Sequence, residues 1–127
     1  IKYKDRIDYF GVVTGNQKLK LLLNSNIFIL PTFYPTEAFP ISIIEAMRTG
    51  NAIITTRHNY LHEIIDHKNG RLISTHSAKE IVDATFSLLK NQNILMQIQK
   101  YNIHKSRDEN TMINYLAKIK RIIDKVV

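Results

Sequence analysis

The chain has 127 residues, of which 44% are hydrophobic and 23% are charged, and it contains no cysteine. This length and composition suit one hydrophobic core and argue against disorder. The lack of cysteine excludes a disulfide framework and thiolate metal sites, and the apolar runs are too short to cross a bilayer. The net charge of +7 is scattered without a Lys/Arg block, so it indicates a solvated surface or, more specifically, attraction to anionic lipid or phosphate.

Short apolar segments in the first part of the chain have the length and composition of β-strands. Gly11 lies within the first segment, and Pro31 ends the second. The predicted strands are 7–13, 26–30, 52–55 and 71–74.

Segments with helical spacing lie between and after these strands. Pro40 suits a first helical position and Gly50 a helix end, while Ser77 and Glu80 have the spacing of a capping box. The predicted helices are 17–24, 40–49, 60–66, 78–90, 94–104 and 109–125. The last helix has an apolar face, formed by Met112, Ile113, Leu116, Ile119, Ile122 and Ile123.

Continuous apolar strands that alternate with helices indicate a parallel sheet covered on both faces. The predicted fold class is therefore α/β, as a partial Rossmann-like parallel sheet of about four strands with flanking helices and a helical C-terminal tail.

The loop 31–39 joins the predicted strand 26–30 to the predicted helix 40–49. In open α/β sheets, ligands bind beyond the carboxyl ends of the strands, in loops of this kind. A helix start also offers unpaired N–H groups and a partial positive charge to an anion. Pro40 contributes no N–H group. The expected anion-binding N–H groups are those of Phe39, Ile41 and Ser42.

Two carboxylates flank these N–H groups. Glu37 lies on the loop, and Glu45 lies on the same helix face as Ile41, one turn deeper. A carboxylate in such a place needs hydrogen-bond partners, and a pair of sugar hydroxyls would provide one O–H for each oxygen. The spacing predicts two acids that hold hydroxyls on either side of a phosphate. From spacing alone it remains open whether Glu37 merely caps a turn and Glu45 is merely exposed.

A family resemblance is carried by PTFYPTEAFPISIIEAMRTGNAIITT and, further on, HEIIDHKNGRLIS. These stretches resemble the C-terminal, donor-binding domain of family 4, retaining, GT-B glycosyltransferases. The pattern is Glu-any seven-Glu, with Phe two residues after the first Glu and Glu-Ala-Met at the second. The resemblance extends over essentially the whole chain and includes IDYFGVV and LLLNSNIFILP. It implies transfer of a sugar from a nucleotide-sugar donor to an acceptor, with retention.

The resemblance also implies roles for individual residues. Glu37, the implied catalytic residue, holds hydroxyls of the donor sugar, and Glu45 binds the ribose of the nucleotide. Ala38, Phe39 and Pro40 bring the backbone to the sugar and phosphates. No cofactor and no metal are expected, because such enzymes need no Asp-any-Asp metal motif and none occurs in this sequence.

Three positions depart from the family pattern. Ala38 replaces the usual Gly, and Asn59 and Tyr60 replace a pair of glycines. Bulk at the last two positions could reshape the donor pocket. Asn tolerates the left-handed backbone that Gly adopts, whereas Tyr does so poorly.

The family's C-terminal domain starts with two further strand–helix units, which supply the Arg and Lys that neutralise the diphosphate. Residues 1–127 are therefore expected to form a partial nucleotide-sugar-binding domain that is inactive alone, without the acceptor-binding N-terminal domain. Loss of those units separates strand 7–13 from strand 26–30 in the usual strand order. Either these two strands pair in a four-stranded sheet, or the exposed sheet edge mediates self-association.

Other motifs give weaker indications. His58 and His62 are four residues apart, but Asp66 stands where a zinc-protease helix needs His. By resemblance, Glu63 matches an acid near the donor site. The basic C-terminal helices lack interleaved aromatic residues beyond Tyr101 and Tyr115, so nucleic acid is not an expected partner.

Two alternatives to the enzyme reading stay open: a non-catalytic binding or structural module on the same half-domain, and a GT-B sugar-nucleotide epimerase. The resemblance further implies bacterial polysaccharide biosynthesis in the cytoplasm, with peripheral membrane contact of the full protein as an open option.

Overall fold

The structure is a computed structural model that describes residues 6–36, 40–109 and 112–126. Its elements alternate between helix and strand as far as the last strand, and three helices follow. In chain order they are α1 (Gly15–Leu23), β1 (Ile27–Leu30), α2 (Ile41–Arg48), β2 (Ala52–Thr56), α3 (Leu61–Ile64), β3 (Gly70–Ile73), α4 (Ala78–Lys90), α5 (Gln92–Glu109) and α6 (Met112–Val126).

The strands form a parallel sheet in the order β1-β2-β3. Ile27 lies opposite Ala52, and Ile53 lies opposite Gly70. A β-carbon on Gly70 would lie 2.0 Å from the carbonyl oxygen of Ile53, so only glycine fits where β3 enters the sheet. The predicted α/β class with a parallel sheet is confirmed.

The central strand β2 is buried along its whole length, because helices cover both faces of the sheet. On one face, α2 and α3 enclose a core that contains Ile43, Met47 and Leu61. On the other face, α4 and α5 enclose a core that contains Leu88 and Ile98. This packing fixes the carboxyl ends of the strands, where the sequence places its predicted ligand site.

The prediction of a strand at 7–13 is wrong. Among the described residues, the sheet has three strands. Tyr9 is 94% exposed and Val12 is 96% exposed, and Gly11 has a left-handed φ of +63°. Aromatic and β-branched residues favour a strand only where a neighbouring strand accepts the backbone hydrogen bonds. Direct pairing of 7–13 with β1 is therefore a failed prediction, while self-association stays a prediction.

Two helix ends follow the sequence signals closely. Gly50 takes a left-handed φ of +85° after α2, and its N–H group donates to the carbonyl of Met47 at 3.0 Å. At the start of α4, the Ser77 hydroxyl accepts from the Glu80 N–H group at 3.3 Å. The Glu80 carboxylate accepts from the N–H group of Ser74 at 2.7 Å instead of completing the capping box on Ser77.

The last helix, α6, presents its apolar side chains to solvent. Within the described part of the chain, the exposed apolar side chains of α6 are Ile113, Leu116, Ile119, Ile122 and Ile123. An amphipathic pattern thus predicted the helix correctly, although no core of the described residues covers its apolar face.

Candidate functional site

The predicted site lies where β1 and β2 end. Loop residues 31–36 leave β1 here, and α2 begins a few residues later at Ile41. Glu37, Ala38 and Phe39 lie outside the described residues, so their roles stay predictions. The described part of the site consists of loop 31–36, the start of α2 and the segment that follows β2.

Four side chains at the end of β2 and just beyond it contact backbone carbonyls at the end of β1 and in the loop that follows. We call these four side chains the loop clamp. The pairs are Thr55 with Leu30, Thr56 with Thr32, His58 with Tyr34, and Asn59 with Pro35. The distances are 2.8 Å for Thr55, 3.1 Å for His58 Nε2 and 3.3 Å for Asn59 Nδ2. The clamp fixes the path of the chain towards residues 37–39.

Asn59 belongs to the clamp through both its backbone and its side chain. Its φ of +45° is the left-handed conformation that the sequence led us to expect of Asn at a family glycine position. Tyr60 has an ordinary φ of −82°, so it needs no glycine-like backbone. The side chain of Asn59 reaches the carbonyl of Pro35, and the departure from glycine therefore adds a contact to the loop.

The start of α2 faces the same end of the sheet. Pro40 precedes the helix, and the Ile43 N–H group closes the first turn on the Pro40 carbonyl at 3.0 Å. Ile41 is exposed and Ser42 is half-buried. Their N–H groups come before the first closed turn, which is the position that an anion uses at a helix start. The assignment of Pro40, Ile41 and Ser42 to a phosphate site stays a prediction.

Glu45 is half-buried and lies one turn beyond Ile41 on α2. The side chain of Lys18, on α1, places Nζ at 2.7 Å from Oε1 and 2.9 Å from Oε2 of Glu45. The two side chains are 39% and 35% exposed, respectively. Sequence reasoning missed Lys18, because 27 residues separate the pair and no local pattern joins them.

The ion pair borders a groove of about 540 Å³ between α1 and α2. Leu19, Leu22 and Leu23 give the groove an apolar wall, and Arg48 adds a further positive charge. The Glu45 carboxylate is therefore accessible from solvent, oriented by a cation and adjacent to open space. Such a carboxylate can accept hydrogen bonds from ligand hydroxyls.

The opposite end of the sheet is built differently. Asn51, Asn69 and Asn102 are all 0% exposed. The Asn102 amide donates to the carbonyl of Asn51 at 2.7 Å and to that of Asn69 at 2.9 Å. These contacts tie α5 to the segments that lead into β2 and β3. The amide nitrogens of these three side chains donate to backbone carbonyls of the fold, and none of the three is exposed to a ligand.

A second cavity, of about 430 Å³, also lies near this amino end. His67, Lys68, Arg71 and Tyr101 are among its lining residues. The Arg71 guanidinium already donates to the carbonyls of Gly70 at 2.6 Å and His67 at 3.2 Å. Its position, away from the carboxyl ends of the strands, separates this cavity from the predicted ligand site.

Residues 6–36, 40–109 and 112–126 contain no cluster of three or more His, Cys, Asp or Glu side chains that could hold a metal ion. Over the same ranges, no helix combines the length and apolar character that a membrane span requires.

A parallel sheet with helices on both faces, and with polar groups gathered at the carboxyl ends of its strands, defines a Rossmann-like domain. Residues 1–105 match the family model described as "Glycosyl transferases group 1". The chain belongs to this family of transferases.

Two curated proteins show what the chain is similar to. It is 30% identical over 112 residues to N,N'-diacetylbacillosaminyl-diphospho-undecaprenol alpha-1,3-N-acetylgalactosaminyltransferase of Campylobacter jejuni, a match that covers 85% of this chain and 29% of the relative. It is 36% identical over 94 residues to a probable sucrose-phosphate synthase of Thermosipho melanesiensis, which covers 69% of this chain and 21% of the relative. The chain therefore spans less than a third of either relative's length.

Two solved structures share the fold. Anabaena HepE, crystallised in complex with UDP, has a TM-score of 0.75 and 16% identity, with coverage of 84% of this chain and 29% of its own. Sucrose-phosphate synthase from Thermosynechococcus elongatus has a TM-score of 0.77 and 18% identity, with coverage of 99% and 32%. The chain thus has the Rossmann-like fold of GT-B glycosyltransferases.

Proposed function

We propose that this chain binds the sugar donor in a retaining glycosyltransferase of the family 4 type. The observation that carries the proposal is the half-buried Glu45 carboxylate, one turn into α2 and open to a groove. A nucleotide-sugar donor is supported by the fold shared with HepE, whose crystal structure contains UDP.

Each part of the donor would meet a different part of the site. Glu45 would accept hydrogen bonds from the ribose hydroxyls, and the N–H groups of Ile41 and Ser42 would face the phosphates. Glu37 would hold hydroxyls of the transferred sugar. The loop clamp supports this arrangement, because it holds the chain that leads to residues 37–39.

The chemistry of such a site is electrostatic. Transfer breaks the bond between the anomeric carbon and the leaving phosphate, and negative charge develops on that phosphate. The acceptor hydroxyl oxygen would form the new bond to the anomeric carbon, and its proton would pass to the departing phosphate. Fixed N–H groups at the start of α2 would stabilise this charge, while the two glutamates hold the sugar and ribose in place. The proposed step needs no metal and no cofactor.

The two curated relatives are named for different reactions. The proposal therefore concerns the donor and assigns no acceptor. The name of the Campylobacter relative includes a diphospho-undecaprenol group, which is a lipid carrier. On that basis we infer that the active enzyme works in bacterial polysaccharide biosynthesis in the cytoplasm, at the inner face of the membrane.

Calorimetric titration with UDP-, GDP- and ADP-sugars tests the proposal. The wild-type chain is expected to bind at least one of them. Replacing Glu45 with Ala should weaken that binding about tenfold or more, since hydrogen bonds to a charged group contribute about 1.5–3 kcal/mol. Asp124→Asn, which removes an exposed carboxylate on α6, is the matched control and should bind as the wild type does.

Failure of all three donors to bind contradicts the proposal and favours the non-catalytic module. Binding followed by inversion of one stereocentre of the sugar, without transfer, would instead identify the epimerase. In the active enzyme, Glu37→Ala and Glu45→Ala should each abolish transfer while the fold is kept.

A further inference from the structure

We propose that Lys18 is a positioning residue for the sugar donor, because it holds the Glu45 carboxylate in the orientation that accepts a ribose hydroxyl. The inference rests on the proposed function and adds to it a residue that neither the family pattern nor the sequence reasoning indicated.

The geometry of the pair is bidentate. Lys18 Nζ lies 2.7 Å from one oxygen of Glu45 and 2.9 Å from the other, so the ammonium group spans both. Within residues 6–36, 40–109 and 112–126, this ion pair joins two different elements, whereas the pair Lys79–Asp83 lies inside α4. The Lys18–Glu45 pair therefore fixes the carboxylate relative to α1 as well as α2.

Lys18 and a ribose can bind Glu45 at the same time. A carboxylate offers about four acceptor positions, two on each oxygen. The Lys18 ammonium uses one position on each oxygen and leaves the other free for a ligand. The free positions lie on the outer sides of the two oxygens, so a ribose hydroxyl can donate to one of them without displacing Lys18. A pre-oriented Glu45 side chain also loses less conformational entropy when the ligand arrives.

The setting of the pair argues against a purely structural role. Both side chains are more than one third exposed, and exposed ion pairs contribute little to folding stability. The carboxylate opens onto the groove between α1 and α2. The consequence of losing Lys18 should therefore appear in ligand binding and hardly in the unfolding temperature.

The test measures the dissociation constants of UDP, GDP and ADP beside those of their 2',3'-dideoxy analogues. The variants are Lys18→Met, which removes the charge, and Lys18→Arg, which can still span both oxygens. The control is Lys20→Met, an exposed lysine two positions along α1 that faces away from Lys18. Lys18→Gln replaces Lys18→Met if the latter does not fold.

Lys18→Met is expected to weaken binding of the ribonucleotide about 3- to 10-fold, to leave the dideoxy analogue unchanged, and to be partly rescued by Lys18→Arg. Lys20→Met should match the wild type. Equal losses for both analogues overturn the inference, because Lys18 would then act on the phosphates, the base or the fold.

Unchanged or tighter ribonucleotide binding by Lys18→Met also overturns the inference, since tighter binding would mean that Lys18 competes with the diol. These outcomes leave the proposed function standing. If the wild-type chain binds none of the three nucleotides, the proposed function fails and this inference fails with it.

Discussion

The two ends of strand β2 are both surrounded by polar side chains that hydrogen-bond to backbone carbonyls, but they differ in burial. At the amino end, Asn51, Asn69 and Asn102 are 0% exposed. At the carboxyl end, the clamp runs from buried Thr56 outwards to exposed Asn59 and half-buried His58. The same kind of contact therefore serves the fold at one end and shapes an accessible loop at the other. Burial decides which of the two roles a polar side chain has.

The largest expected effect is on the amino end. Asn102→Ala removes both hydrogen bonds of the amide, although the Asn69 carbonyl still accepts from the Ile53 N–H group at 3.2 Å. Loss of buried hydrogen bonds of this kind costs about 1–3 kcal/mol, so the free energy of unfolding should fall by about 2 kcal/mol. Urea denaturation measures the change.

The control for that experiment is Asn93→Ala, an exposed position on the same helix α5, which should change the free energy of unfolding by less than about 0.5 kcal/mol. If Asn102→Ala unfolds at the wild-type urea concentration, the buried asparagines do not hold the sheet to α5.

A smaller effect, of a different kind, is expected at the carboxyl end. Asn59→Gly removes the contact with Pro35, while glycine adopts the φ of +45° without strain. Stability should stay within about 0.5 kcal/mol of the wild type. Affinity for the nucleotide-sugar should fall about 3- to 10-fold, while affinity for the free nucleotide stays the same, because loop 31–36 leads to the predicted sugar contacts.

Asn59→Asp distinguishes the effect of the side-chain contact from the effect of the backbone conformation. Asp also tolerates the left-handed region, but its carboxylate cannot donate a hydrogen bond to a carbonyl. It should lose sugar affinity as Asn59→Gly does. Full sugar affinity in both variants would show that the clamp has no part in donor binding.

The smallest expected effect is a pH dependence of folding stability, from a contact just after the carboxyl end of β3. The N–H group of Ser74 donates to Glu80 and lowers the pKa of that carboxyl below 4.5. The folded-state pKa is thus below the unfolded value, so the contribution to stability is complete above about pH 4.5. It is lost as the pH falls through the lower, folded-state pKa.

The unfolding temperature of Glu80→Gln should therefore depend slightly less on pH below about 4.5 than that of the wild type. Thermal melts of both proteins between pH 3 and 7 measure this difference. Parallel pH profiles would mean that the Ser74–Glu80 contact does not contribute to folding.

Local patterns in the sequence were enough to predict most of the fold. Apolar runs with Pro31 and Gly50 at their borders identified β1, α2 and β2, and Ser77 marked the start of α4. Segment 7–13 failed because its apolar residues resemble a strand, whereas a strand also needs a neighbour. The pattern of α6 predicted its helix but not what lies against its face.

The site was predicted less completely, because its contacts join residues that are far apart in the chain. Lys18 and Glu45 are 27 residues apart, and Asn59 and Pro35 are 24 apart. Asn102 and Asn51 are 51 residues apart, and an asparagine on a helix reads as a surface residue until the fold buries it. Family resemblance named Glu45, but only the three-dimensional packing shows which cation holds it.

A crystal structure of the chain with the nucleotide-sugar that it binds most tightly is the most direct check on the central claim. We expect a ribose hydroxyl within hydrogen-bonding distance of Oε1 or Oε2 of Glu45, and the phosphates at the N–H groups of Ile41 and Ser42. A nucleotide seated in the cavity beside Arg71 and Tyr101, with Glu45 contacting only Lys18, would contradict the account.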